Sequence, residues 1–249
     1  MRVANRWIPF RGSRRAPRAR LVCLPHAGGG ALGYRQFTAC FPEEIEVCAI
    51  ELPGRGTRMN EPLVHDFITL VSALAEAIAE YTDLPFAIFG HSMGALLAYE
   101  LNRGLMARYG RQAQHLYVSG MRAPHIPDRH KFLNARTDTE LMCRVRELGG
   151  IPADVWNNQD LVQMMTATMK ADFSICASYE YQDHEPEASP ITAFAGTDDP
   201  FASVEEVRLW RRHTCSGFAF KAYPGAHFFI HQAYPDVARL ICSHFDAER

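Results

Sequence analysis

Six short apolar runs constrain this chain more than any other feature. RLVCLP (20–25), EVCAIEL (46–52), FAIFG (86–90), HLYVSG (115–120), ITAFAG (191–196) and FAFKAYPG (218–225) are apolar and often β-branched, and read as strands. Most lack strict alternation, as expected of strands covered on both faces. Helical patterns separate them. In DFITLVSALAEAIAEYT, the residues Phe67, Leu70, Val71, Leu74, Ile78 and Tyr81 recur at helical spacing behind Asp66, a suitable N-cap. MGALLAYELNRGLMARYG predicts a helix closed by Gly110. Strand–helix alternation of this kind specifies an α/β class, with a mostly parallel central sheet flanked by helices on both faces.

One interval breaks the rhythm. Residues 121–190 separate two strands by 70 positions, too many for a simple crossover. TDTELMCRVRELGG opens on a capping-box spacing, Thr137 to Glu140, and stops at Gly149–Gly150. DLVQMMTATMKADFSICASYEY reads as a longer helix carrying Met164, Met165, Met169 and Phe173. The interval is expected to be a helical insertion lying over the sheet.

A chain of 249 residues suits one large domain, here 20–249, behind a basic N-terminal segment, 1–19. The formal net charge of -2 gives no field that points to nucleic acid. There is no apolar run long enough for a membrane span, and no apolar segment opens the chain as a secretion signal would. The seven cysteines, Cys23, Cys40, Cys48, Cys143, Cys176, Cys215 and Cys242, form no C-x-x-C and read as buried free thiols in a reducing cytoplasm. Arg2, Arg6, Arg11, Arg14, Arg15, Arg18 and Arg20 open the chain without an acidic residue. They read as a solvated tail, with an organelle leader or an arm for an acidic partner as alternatives.

The chemistry centres on FGHSMGALLAYE (89–100), which holds G-x-S-x-G around Ser92. A serine hydroxyl needs a base in hydrogen-bond reach, and the base needs an orienting carboxylate. In α/β-hydrolases the serine sits on a sharp strand-to-helix turn, followed in the chain by the acid and then the histidine. FAIFG supplies the strand here and MGALLAYE the helix. His227, behind AYPGA, is the base expected from this order. His231 is expected to share a helix face with it, but H-E-x-x-H fails at Phe228, so a metal is rejected. Asp198 and Asp199, just past ITAFAG, are the candidate acids, one of them a turn residue. The backbone N–H of Met93 and one from the LPHAGGG loop (24–30), assigned to Ala27, are the expected oxyanion donors. A phosphate loop is excluded there because no G-K-[ST] follows.

CLPHAGGGALGYRQF, ELPGRGTRMNEP, FAIFGHSMGALLAYEL, LYVSGMRAP, ELGGIP, ADFSICASYEY, ITAFAGTDDP and YPGAHFFI together resemble the type II thioesterases that act beside polyketide synthases and nonribosomal peptide synthetases. The resemblance runs from about Trp7 to the end. It implies an α/β-hydrolase fold and hydrolysis of acyl thioesters from the phosphopantetheine arm of carrier proteins, which frees carriers blocked by aberrant groups. It implies Ser92 as nucleophile, His227 as base and, through G-x-x-D starting at Gly196, Asp199 as acid. It also implies a mobile lid over 121–190 and carrier proteins as partners; no cofactor or metal is expected, and the chain is read as a cytoplasmic monomer. The alternatives are a general carboxylesterase or lipase and a medium-chain fatty acyl carrier protein thioesterase. The methionines of the insertion fill a small core or line an acyl channel. Arg103, Arg108, Arg111, Arg211 and Arg212 read as solvated faces or as a docking patch for an acidic carrier protein.

Overall fold

The computed structural model describes residues 5–10, 17–128, 137–149, 151 and 155–247. All six expected strands are present: β1 (Ala19–Leu24), β2 (Ile45–Ala49), β3 (Phe86–His91), β4 (His115–Ser119), β5 (Ile191–Gly196) and β6 (Phe218–Tyr223). They form one sheet in the order β2-β1-β3-β4-β5-β6, and every pairing is parallel. The helices are α1 (Arg35–Thr38), α2 (Phe67–Ile78), α3 (Met93–Tyr109), α4 (Asp138–Leu148), α5 (Gln159–Ser178), α6 (Val204–Arg208) and α7 (Ile230–Ala247).

Side-chain alternation sends the two halves of each strand to two different cores. In β1, Val22 and Leu24 enter a cluster with α2, α3 and α6, while Leu21 and Cys23 enter one with α1 and α7. Both faces are apolar, which is why the sequence shows no polar alternation. β2 ends sooner than EVCAIEL suggests, but the chain stays extended. The Ile50 N–H reaches Cys23 O at 3.0 Å and the Glu51 N–H reaches Trp7 O at 2.8 Å.

That last bond ties the stretch around Trp7 to the sheet, and the solvated reading fails for Arg18 and Arg20. Ile8 is buried in the main core and Trp7 lies under the Arg58 guanidinium. Arg6 pairs with Glu61, Arg18 with Asp246, and Arg20 is buried between Glu46 and Asp83. Arg2, Arg11, Arg14 and Arg15 lie outside the described residues. No two cysteines form a disulfide among the described residues, but only Cys23 and Cys48 are fully buried, and Cys143 and Cys215 are exposed.

Local signals set the helix ends. Asp66 caps α2 by accepting the Thr69 N–H, and Gly110 closes α3 in the left-handed conformation. Thr137 caps α4 by accepting the Glu140 N–H. Gly149 follows that helix, and Gly150 lies outside the described residues. The helix read over DLVQMMTATMKADFSICASYEY ends at Ser178, before Tyr179. The insertion is not uniformly a cover. The N-terminal part of α5 exposes Leu161 and Met164, whereas Ile175 further along belongs to the main core. The Phe67 N–H donates to Ser178 Oγ, tying the end of α5 to the start of α2.

Candidate active site

The strand order locates the site. From β1 the chain runs to β2 on one side and returns to β3 on the other, so the loops leaving β1 and β3 diverge at the C-terminal edge. A crevice opens at such a switch point. Leu24 and Gly90 are register partners there, which brings the LPHAGGG loop beside the Ser92 turn.

Ser92 has φ 55° and ψ -124°, and among the described residues no other non-glycine has a positive φ. Such a conformation is strained by about 1–3 kcal/mol and must be held by its surroundings. Its N–H donates to Ser119 O at 2.8 Å, and its carbonyl accepts the Ala95 N–H at 2.8 Å. The flanking glycines are required by crowding. A Cβ on Gly90 would overlap the Gly94 carbonyl, and one on Gly94 would overlap the carbonyl of Leu24.

β5 and β6 deliver the other two groups from adjacent strand ends, where Gly196 and Tyr223 are partners. His227 Nδ1 lies 2.9 Å from Asp199 Oδ2, and His227 Nε2 lies 3.0 Å from Ser92 Oγ. The Asp199 side chain has 0% exposure, and its Oδ1 accepts the Phe201 N–H at 2.9 Å. Asp198 turns the other way. It accepts from the Thr197 hydroxyl and the Gly225 N–H, and its own N–H donates to Gly225 O, which pins the two loops together. His227 and His231 do not share a helix face, because α7 begins only at Ile230 and His227 occupies the turn before it.

Ala27 and Met93 both line the crevice that Ser92 and His227 border. Met93 is the first residue of α3, so its N–H has no intrahelical acceptor. Among the described residues neither N–H has a protein acceptor. Other loop amides are occupied: Gly28 donates to Asp172, Gly29 to His26 O and Ala31 to Glu51.

The crevice widens into a cavity of about 280 Å³. Its apolar wall includes Leu96, Val145, Leu148, Met165, Met169 and Phe173, drawn from α3, α4 and α5. Met169 serves both roles considered for the methionines: it packs in a small cluster with Leu141, Val145 and Phe173, and it also lines the cavity. Phe201 and Phe228 stand edge-on to the His227 ring. His91 lies behind that ring at 5.1 Å, with Nδ1 on Ser119 Oγ. Burial holds His91 well below the usual imidazole range, with the neighbouring imidazoles adding to the shift. His26 is pushed down to about 3 by burial, then by His231, His227 and Arg55. His26 and His91 are therefore neutral at pH 7. His91, Glu51, Arg55 and Asp172 were not foreseen from the sequence. Arg55 and Asp172 lie within ELPGR and ADFSICASYEY, but 117 residues apart.

No helix among the described residues is long and apolar enough to cross a membrane. Residues 19–245 match the family described as "Thioesterase domain". The gramicidin S biosynthesis protein GrsT of Aneurinibacillus migulanus is 36% identical over 96% of this chain and 93% of its own length. The thioesterase PikA5 of Streptomyces venezuelae is 34% identical over 90% of this chain and 80% of its own. Among solved structures, the type II thioesterase BorB from the borrelidin biosynthetic cluster superposes with a TM-score of 0.85 and 31% identity, covering 94% of this chain and 96% of that one. Its fold is accordingly that of the α/β-hydrolases, and the chain belongs to the thioesterase family.

Proposed function

We propose that this thioesterase removes aberrant acyl groups from carrier proteins of a polyketide or nonribosomal peptide assembly line, with Ser92, His227 and Asp199 as its triad. The observation that carries the reading is the His227 ring, within hydrogen-bond reach of both Asp199 and Ser92 beside an apolar cavity. The domain is 20–249, the 121–190 insertion serves as its lid, and the enzyme acts as a cytoplasmic monomer on phosphopantetheine-bound substrates.

The steps follow from the geometry. The Ser92 hydroxyl donates to His227 Nε2 while Asp199 holds the Nδ1–H. As Oγ bonds to the thioester carbon, its proton passes to Nε2, and the carbonyl oxygen becomes an oxyanion facing the N–H groups of Ala27 and Met93. The C–S bond then breaks, and the pantetheine sulfur leaves with the proton from Nε2. A thiol, with pKa about 8.5, leaves readily at neutral pH. Water attacks the acyl-serine, His227 takes its proton, and the free acid departs as Ser92 Oγ is reprotonated. The cavity of about 280 Å³ falls just below the usual span of ligand sites, about 300–1,000 Å³, and favours short acyl groups.

A panel of acyl groups on one carrier protein, offered to wild type and Ser92→Ala, tests this. The wild type is expected to hydrolyse several groups, short ones best, and to prefer them to a simple aryl ester in kcat/KM. The Ser92→Ala variant should be inactive on all. Activity equal to wild type in Ser92→Ala would refute the nucleophile, and a preference for the aryl ester would refute the carrier-bound substrate.

A further inference from the structure

Asp172 is a carboxylate on α5 with 0% exposure, and the triad gives it no step. Its Oδ2 accepts from the Gly28 N–H at 2.6 Å and from Arg55 Nη1 at 2.6 Å, while its Oδ1 accepts from Arg55 Nη2 at 2.6 Å. Arg55 Nη1 donates in addition to Gly29 O at 3.2 Å. One helical turn before Asp172, the end of the Met169 side chain fills the space where a Cβ on Gly28 would stand. On the far side of the loop Glu51 accepts the Ala31 N–H at 3.2 Å. Gly28 itself lies in the left-handed region, φ 76°, so the peptide that follows Ala27 turns sharply and is then gripped.

A buried ion pair is weak evidence of stabilisation, because desolvation offsets the attraction. What this pair does provide is direction. The bidentate fork fixes the carboxylate plane, and the carboxylate fixes the Gly28 N–H, one peptide beyond the amide of Ala27. We propose that Asp172 and Arg55 are positioning residues for the oxyanion loop: together they aim the Ala27 N–H at the developing oxyanion. The inference rests on the roles given above to Ser92 and Ala27. It makes the C-terminal part of α5 a fixed support of the reaction centre.

The test uses variants that leave no unpaired charge. Arg55→Met with Asp172→Leu replaces the pair by apolar groups of similar volume. Expected are a melting temperature near wild type, a kcat on carrier-bound acyl groups lower by about 10- to 100-fold, and an unchanged KM. The inhibition constant of an alkyl trifluoromethyl ketone, whose adduct on Ser92 carries an oxyanion, should rise by the same factor. A purely structural pair would alter melting and leave the ratio of inhibitor to substrate binding alone. Wild-type kcat and inhibition in the folded double variant would overturn the proposal. Should that variant fail to fold, Arg55→Lys carries the test, since it keeps the charge but loses the fork. A parallel change in kcat and inhibition supports the clamp, and wild-type values overturn it. Ser92→Ala run alongside separates the two readings. If it is active, the triad on which the clamp rests fails. If it is inactive while the double variant is fully active, the clamp alone fails.

Discussion

At the C-terminal edge of the sheet, Ser92, Asp199 and His227 each stand within four residues of the end of a strand, and β3 and β5, which carry the first two, are buried throughout. In the insertion above them, α4 and α5 meet through Leu141, Val145, Met169 and Phe173, while Leu161 and Met164 face solvent. The edge is held by backbone that has nowhere else to go. The insertion is held by a few side chains. On the proposed reading the contrast separates two tasks: an edge, with the Asp172 end of α5 as its support, that fixes where bonds break, and a cover formed by α4 and the start of α5 that sets what is admitted.

The largest break in this comparison comes from one atom at the edge. Asp199→Asn keeps the shape but loses the carboxylate that holds the His227 Nδ1–H, and kcat should fall by about 10³- to 10⁴-fold with little change in melting. Asp198→Asn should leave kcat near wild type, because Asp198 serves the turn at Gly225. Similar losses in both variants would show that the two carboxylates share the role.

Next in size is a purely steric break. Gly90→Ala places a methyl group on the Gly94 carbonyl, and the fold should lose more than about 4 kcal/mol. Met164→Ala, on the exposed face of α5, should change stability by less than about 0.5 kcal/mol. Urea midpoints measure both. A wild-type midpoint in Gly90→Ala would mean that the edge gives way more easily than its packing implies.

The same division explains what the sequence disclosed. Strands covered on both faces, a serine between two obligatory glycines, and a histidine behind a Pro-Gly turn are local patterns, and each leaves a mark within a few residues. Asp199 over Asp198 was legible only through the G-x-x-D pattern of the family, since both sit in one turn. The Arg55–Asp172 pair was not legible, although both residues lie in stretches that carried the resemblance. A contact across 117 positions has no period and no spacing rule. The buried Ile8 and the anchored Arg18 and Arg20 were hidden by composition, because arginines in series read as solvent-facing until their partners are known. Met169 resisted a single reading because it packs against Gly28 and lines the cavity at once.

A smaller effect tests the cover as a selector. Leu148, at the end of α4, lines the cavity. Leu148→Trp should lower kcat/KM for an eight-carbon acyl group relative to a three-carbon one by about tenfold. Turnover of the three-carbon group should persist, because the edge is untouched. An equal loss for both groups would show that α4 supports the reaction itself and would blur the division.

The smallest effect concerns the seam where the insertion rejoins the sheet. His213 is buried with Nδ1 on the Tyr99 hydroxyl and Nε2 on His125 Nδ1, beside Tyr181, which follows α5. Burial, followed by His125, His184, Arg212 and Arg103, pushes His213 down to about 4. The folded state therefore holds it neutral where the unfolded chain, with imidazole pKa about 6.5, binds a proton. Its contribution to stability is complete above pH 6.5 and is lost as pH falls to about 4. His115, on β4, is pushed down to about 3 by burial and then by His244, so its loss continues to lower pH. Melting temperatures of wild type and His213→Gln between pH 7 and 3 distinguish the two groups. The variant should melt lower than wild type at pH 7, its decline should be shallower between pH 6.5 and 4, and its slope below pH 4 should match that of wild type. Parallel curves throughout would place the acid-sensitive groups away from the seam, among His26, His91 and His115, and would leave the seam as insensitive to protons as the apolar cluster beneath α4.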